Sequence, residues 1–477
     1  MKQLTRSIFL ALLMTLSAAG PLLAQFTISA EFRPRLEYRN GYSKLIGSDK
    51  LPVFDILGRN RLIFDYKDER FSARFSIQHA YVFGENNYSS DTITRNTLNL
   101  YEAWFQYDFV KNVGIRIGRM ELAYDDQRLL GVSNWNPKGS SHDVGVFKWG
   151  CPEHGYRGDF GFAINNTGPM GAFLTAYPLK NYKYLLYLYE QKKFLKDQLV
   201  VGLIGIADVL QKPGSKVSVT TYDSLPVYDN SGVVIGYTLV PHTTTTLKYD
   251  PKMLYARVTA GGNVGFTWKN LKVFAAGYYQ GGSFSNGNRI SASFYGVYAS
   301  YQVVKQLKLM AGYDRLSGND YSDTAGIRTK YTSFSTLYSS THGFYGYMDY
   351  WGTYVGSGTT PGLTNLYARA TVSFSENLSL EATWRMMGLS RGYLEVKDPD
   401  PGELPYLEVK KNLGHEIDLM CIYKPVKNLE LNAAYCLYFP TETMELLQGL
   451  KAGDSGPAHY AYVMLTYKPT FFNSDRK

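Results

Sequence analysis

The chain has 477 residues, room for three ordinary domains or for one large barrel. It is rich in Tyr (41), Phe (25) and Gly (45), yet its mean hydropathy is −0.23. That combination fits a transmembrane β-barrel, whose aromatic rings sit at both membrane interfaces, better than a soluble protein. The formal charge is +9, but there is no long Lys/Arg run and no nucleic-acid motif, and three cysteines make no disulfide framework.

Residues 1–24 read as a signal peptide. Lys2 and Arg6 form a positive start, residues 8–16 an apolar core, and Ser17-Ala18-Ala19-Gly20 a small-residue stretch, with cleavage expected after Ala24. No Cys follows the core, so it is not a lipoprotein signal. Beyond Gln25 no run approaches the roughly 18–20 apolar residues of a membrane helix, which excludes a helical membrane protein.

The first mature segment, 28–39, alternates without a break: even positions are apolar, aromatic or Pro, and odd positions are polar or charged. A two-residue period is the mark of a strand with one wet and one dry face. The period returns around Leu62, Phe64 and Tyr66; around Phe71, Ala73, Phe75 and Ile77; and at Tyr101, Ala103, Phe105, Tyr107 and Phe109 against Glu102, Trp104, Gln106 and Asp108. It returns again at Leu366, Ala368 and Ala370 against Tyr367 and Arg369, and at Leu378, Leu380 and Ala382 against Glu381 and Arg385. Counted to the aromatic run at 460–467, such segments number about 18, each near the ten residues of a tilted membrane strand.

Connection lengths carry a second signal. Tight turns at 67–69, 110–112, 269–270, 304–306, 375–377 and 425–428 are interleaved with long polar connections near 40–60, 84–96, 119–143, 211–251, 318–360, 389–412 and 440–457. Transmembrane barrels alternate short periplasmic turns with long outer loops. The expected fold is all-β, a single transmembrane antiparallel barrel over 25–477 with a polar lumen. It would sit in the outer membrane of a Gram-negative bacterium, both termini periplasmic.

With the apolar face toward lipid, the lumen receives Glu31, Arg33, Arg35, Glu37, Arg61, Asp65, Arg74, Glu102, Arg116, Arg257, Arg369, Glu381, Arg385, Glu416 and Asp418. An Arg or Lys at mid-membrane on the lipid face would cost roughly 2–4 kcal/mol, so the inward placement is nearly forced. The same parity puts Cys421 outside and Cys436 inside, so the two do not bond. An arginine-dominated lumen attracts anions and offers paired donors to carboxylates. Many of these charges would also brace the wall as salt bridges.

One segment breaks the pattern. Strict alternation after Ile115 and Ile117 would aim Arg119 at lipid, so the strand is expected to bulge or end at Gly118 and the chain to turn inward. Gly118-Arg119-Met120-Glu121-Leu122-Ala123-Tyr124-Asp125-Asp126-Gln127-Arg128-Leu129, with Trp135, then Ser141-His142-Asp143, and Glu102-Ala103-Trp104 one strand earlier, resembles the alginate export family of outer-membrane porins. The resemblance implies an 18-strand barrel with an electropositive, arginine-lined constriction that passes an acidic polysaccharide. By that resemblance Arg119, Asp125, Asp126 and Arg128 line or support the constriction. The implied partners are outer-membrane lipid, an anionic oligo- or polysaccharide or other small anionic solute, and periplasmic export components.

Enzymatic readings fare poorly. Ser141, His142 and Asp143 are consecutive, so their side chains diverge and cannot form a nucleophile–base–orienter relay. His142 and His154 lack metal-ligand spacing with any partner, and no cofactor motif is present. Phe284-Ser285-Asn286-Gly287 has part of an outer-membrane phospholipase element, but position 283 is Ser rather than the required His. Glu121 with Asp125 or Asp126 is a weak glycosidase pair. The non-enzymatic alternatives are a general diffusion porin and a plugged, ligand-binding or adhesive barrel.

Overall fold

The computed structural model describes residues 24–47, 49–84, 97–165, 182–212, 216–228, 234–247, 253–322, 330–396, 404 and 406–474. The proposed signal peptide, apart from Ala24, lies outside these residues, as do most of 84–96 and parts of 211–251.

Eighteen antiparallel strands form one sheet that closes on itself. In chain order they are β1 (Gln25–Phe32, resumed at Arg35–Asn40), β2 (Val53–Lys67), β3 (Phe71–Val82), β4 (Thr97–Val110), β5 (Val113–Met120) and β6 (His142–Cys151). Next come β7 (Tyr156–Ile164), β8 (Tyr184–Phe194), β9 (Leu199–Gln211), β10 (Leu254–Trp268), β11 (Leu271–Gly282) and β12 (Ala292–Val304). The last are β13 (Leu307–Leu316), β14 (Leu363–Ser373), β15 (Leu378–Leu389), β16 (Asn412–Val426), β17 (Leu429–Pro440) and β18 (Ala458–Tyr467, resumed at Thr470–Asn473). Every strand pairs with its sequence neighbours, and β1 closes on β18 through Leu36↔Val463 and Ile28↔Phe472. Closure leaves no strand edge with unpaired amides, the condition for crossing a bilayer with strands.

The period-2 pattern explains the faces. Phe32, Leu36, Leu62, Phe75, Phe105, Leu188, Leu203 and Leu380 are exposed on the outer face, whereas Arg35, Arg59, Glu102, Asp208, Asp314 and Asp418 on the other face are buried. Exposed rings gather at both rims, with Phe71, Trp268, Tyr301 and Phe374 beside the short turns and Phe54, Tyr279 and Tyr295 at the far end. These are the two aromatic girdles of a membrane barrel. Cys436 is buried and all three cysteines are free.

Three details depart from the sequence reading. The 28–39 strand is interrupted at Arg33-Pro34, because proline has no N–H for the ladder; Arg33 still exchanges backbone bonds with Arg59 at 2.8 and 3.2 Å. In β4 the pairing slips between Ser76↔Glu102 and Ile77↔Leu100. Tyr101, expected on the lipid face, is the extra residue of that bulge and turns inward, where its hydroxyl donates to Glu121 at 2.6 Å. The third is at Gly118. The strand neither ends nor swings inward there: the ladder runs on through Ala103↔Arg119 and Arg119↔Asp143 to Met120. Gly118 adopts φ +132°, and a Cβ would lie 2.1 Å from the Ala103 carbonyl oxygen, so only glycine fits.

The described long connections stand at the rim opposite the tight turns. Two of them, 121–141 and the described parts of 317–362, fold into the barrel, the second carrying a short helix α1 (Gly352–Ser357). Residues 441–457 carry α2 (Glu442–Leu447), capped by Thr441, which accepts the Met444 amide. Lys216–Tyr228 and Val234–Leu247 form a separate two-stranded hairpin between β9 and β10.

Candidate functional site

The two inward loops form a joint plug. Gly131 donates to the Tyr338 carbonyl at 2.9 Å, Tyr338 to Leu129 at 3.0 Å and Ser340 to Gln127 at 3.0 Å, a short backbone ladder between segments some 200 residues apart. Trp135 stacks on His342, with centroids 3.8 Å apart and planes within 2°. The turn that aims the first loop is strained: Asp125 and Gln127 hold φ of 51° and 65°. The left-handed region costs ~1–2 kcal/mol per non-Gly residue, so packing must hold it.

Wall arginines hold the plug. Arg33 donates to the Asn134 carbonyl at 2.6 Å, and Arg35 to the Trp135 carbonyl at 2.8 Å with its guanidinium 3.7 Å above the indole. Arg59 reaches the Asn134 side chain at 2.9 Å and Glu31 at 2.6 Å. Arg61 bonds Gln78 at 2.7 Å and stacks over Tyr101 at 3.6 Å. From β15, Arg385 donates to the Phe344 and Gly343 carbonyls at 2.7 and 2.6 Å, and Asp418 lies 3.5 Å away. Glu416 accepts the Met348 amide at 3.1 Å. Tyr338 donates to Asp208 at 3.2 Å, and Asp208 also takes both arms of Arg257, at 3.0 and 2.5 Å. These arginines spend their donors on carbonyls and wall carboxylates.

Arg128 is fixed in the same way. It is 5% exposed, pairs with Asp126 at 2.6 Å and Asp314 at 3.0 Å, and lies between the rings of Phe294 and Phe344. Asp125 accepts the Tyr189 hydroxyl at 2.7 Å, and burial raises its carboxyl above the usual range. Arg369 pairs with Glu381 at 3.1 Å.

Arg119, expected in the constriction, is not there. It shares the outer face with Ile117, bonds Asp143 with two arms at 2.8 Å, and both side chains are about half exposed. The physical reason is the unbroken ladder through Gly118, which preserves alternation. His142, by contrast, is buried inside against the Tyr182 hydroxyl at 2.7 Å, so Ser141-His142-Asp143 splits across the wall. Exposed ion pairs are worth ~0–1 kcal/mol. Arg119→Ala should therefore change neither conductance nor ion selectivity and lower stability by less than ~1 kcal/mol, checked by heat-modified gel mobility and bilayer recording.

A second group of cations keeps contact with solvent inside the barrel. On β3 to β7, Arg74 meets Asp65 at 2.7 Å and Glu102 at 3.4 Å, while Arg116 stacks over Trp104 at 4.0 Å and bonds Gln106 at 3.0 Å. Lys148 and Arg157 share Asp159, at 2.9 and 2.6 Å. Arg74, Lys148 and Arg157 are 36%, 26% and 50% exposed. Arg116 has no carboxylate within ion-pair distance among the described residues. Sequence reasoning named Arg74, Glu102 and Arg116 but missed Arg59, Lys148, Arg157 and Asp159. The two-residue spacing of Arg59/Arg61, continuing to Leu62 and Phe64 on the other face, and of Arg157/Asp159 between Tyr156 and Phe160, was the available signal.

The sequence profile of the family described as "Alginate export" matches residues 25–455. No curated protein matches the sequence. Among solved structures, the fold is shared with OccAB1 of Acinetobacter baumannii (TM-score 0.59, 11% identity, 94% of this chain and 97% of that one). It is shared also with OccK2 (OpdF) of Pseudomonas aeruginosa (0.54, 11%, 94% and 98%) and with the P. aeruginosa outer membrane protein OprD (0.55, 9%, 94% and 94%). Fold and family are those of outer-membrane channels rather than enzymes, and the chain belongs to the alginate export family.

Proposed function

We propose that this outer-membrane channel passes an anionic solute of the acidic oligo- or polysaccharide kind, guided by the Arg74–Arg116–Lys148–Arg157 stripe beside the plug. The observation that carries the reading is the division of labour among the cations. Arg33, Arg59, Arg128 and Arg385 are buried and spent on the plug, whereas the stripe is partly solvated and paired, among the described residues, with three carboxylates, Asp65, Glu102 and Asp159. Guanidinium groups offer carboxylates paired donors, and incomplete pairing leaves the stripe attractive without permanent capture. OccK2, which shares the fold, has been crystallised with glucuronate. Both ends of the described barrel, Gln25 and Asn473, lie at the short-turn rim, which we assign to the periplasm, where export components would meet it.

Uronate oligomers added to a single channel in a planar bilayer should block the current. Replacing Arg116 and Arg157 together by Ala should raise the half-blocking concentration about tenfold or more, since each charge-assisted hydrogen bond lost is worth ~1.5–3 kcal/mol. Block that is absent, or indifferent to both substitutions, would favour a general diffusion porin.

A further inference from the structure

The short-turn rim carries a set of cations that the stripe does not account for. Lys67 ends β2, Lys193 is next to last in β8, Lys272 and Lys308 are second in β11 and β13, Lys424 is third from the end of β16, and Lys468 follows the first half of β18. Each therefore sits within about 10 Å of the rim at 3.4 Å per residue. All six share the parity of buried lumen residues. Lys67 follows Arg59 and Arg61; Lys193 follows Tyr187 and Tyr189; Lys272 precedes Ala276 and Tyr278; Lys308 precedes Asp314 and Leu316; Lys424 follows Glu416 and Asp418. Lys468 lies 3.5 Å from the buried Glu31. The contributing strands, β2, β8, β11, β13, β16 and β18, cover the circumference except for the β3–β7 arc, so the amines line most of the inside of the mouth.

Their electrostatic state differs from that of the arginines above. Lys67, Lys272 and Lys308 are exposed and have no ion-pair partner among the described residues. Lys193–Asp197, Lys424–Glu430 and Lys468–Glu31 are loose pairs at 3.4–3.5 Å whose lysines are about half exposed. We infer that this set of lysines is a capture site for a linear polyanion at the short-turn mouth, through which the chain enters the barrel. The inference rests on the proposed anionic solute and adds the end at which it is received.

Lysine suits that task. Its ammonium is a compact, strongly hydrated point charge on a flexible stem, without the rigid two-armed fork by which arginine holds a carboxylate. A set of such charges raises the local concentration of an anion and speeds its arrival, yet lets it go to the stripe. The inward parity argues against lipid phosphates as the ligand, since these meet the outer face. A spread over most of the circumference suits a chain threading the mouth better than a folded acidic partner seated on one side.

The test uses the mature full-length protein inserted into a bilayer from one side, its orientation read from protease sensitivity of a C-terminal tag. Polyuronate is added to one chamber at a time in low salt. The native channel should be blocked faster from the short-turn side. The Lys67→Glu/Lys272→Glu/Lys308→Glu variant should lose that asymmetry, its blocking on-rate falling about tenfold or more with the off-rate unchanged, and the two proteins should converge near ~1 M salt. These lysines are exposed, and unchanged heat-modified gel mobility controls for folding. Native, sided block kinetics in the variant overturn the capture site, as would block that is equal from both sides in the native channel. A channel that keeps anion selectivity in either case leaves the solute reading standing, whereas loss of native anion selectivity sinks both.

Discussion

Replacing Trp135 by Ala should raise amide exchange through the 121–141 loop about 100-fold while leaving exchange in the barrel strands unchanged. The indole is the keystone of the plug. It stacks on His342, meets Tyr462 edge-on at 4.9 Å, lies beneath the Arg35 guanidinium, and donates to the Tyr42 hydroxyl at 3.0 Å. Truncating a packed aromatic costs ~3–5 kcal/mol, and Trp135 is only half-buried, so about 3 kcal/mol is expected. The loss falls on loop docking, because the strand ladders do not pass through Trp135. The same variant should show larger, noisier single-channel conductance. Trp135→Phe keeps the stack and should retain most of the protection. Strand and loop exchange rising together would mean that the plug and wall are one cooperative unit.

Arg128→Ala should be the most damaging single change in the plug, at about 3–5 kcal/mol, because it strands Asp314. Asp314 is 1% exposed on β13, and besides Arg128 its side-chain partner is Asn365 at 3.2 Å. An unpaired buried carboxylate is far worse than no carboxylate. The double variant Arg128→Met/Asp314→Asn should therefore be more stable than Arg128→Ala alone, measured by thermal midpoint and by protease cleavage in the loop. Ion selectivity should change little in either, since Arg128 is enclosed by two carboxylates and two rings. A large loss of anion preference in the double variant would return Arg128 to the conduction path.

The barrel was legible because its physics is local and periodic. The alternation at 28–39, 62–66 and 366–386 is dictated by one lipid and one polar face, and the short turns follow from strands that must pair with their neighbours. What failed was local as well. Nothing near Tyr101 announces a bulge, since that slip depends on the partner strand at Ser76 and Ile77. Gly118 looked like a strand end, yet its missing Cβ serves to let the ladder pass the Ala103 carbonyl. The motif at 118–131 correctly marked an inward loop, but the residues that fix Arg128 and Trp135 lie far away, at Asp314, His342 and Tyr42. Periodicity says which way a side chain points. It does not say whether a cation is buried against carbonyls, as in Arg385, or half exposed while sharing a carboxylate, as in Arg157.

If the partly solvated stripe selects for anions, the zero-current potential across a bilayer with a tenfold salt gradient will report it. The native channel should give the sign of preferential anion flow. Arg116→Glu with Arg157→Glu should reverse that sign, because both residues face the lumen and, among the described residues, neither donates a hydrogen bond to the plug: Arg116 bonds Gln106 and Arg157 bonds Asp159, with Arg157 touching only the Tyr124 ring of the plug, at 5.5 Å. A native channel that prefers cations, or a double variant with native selectivity, would rule out anion selection by the stripe.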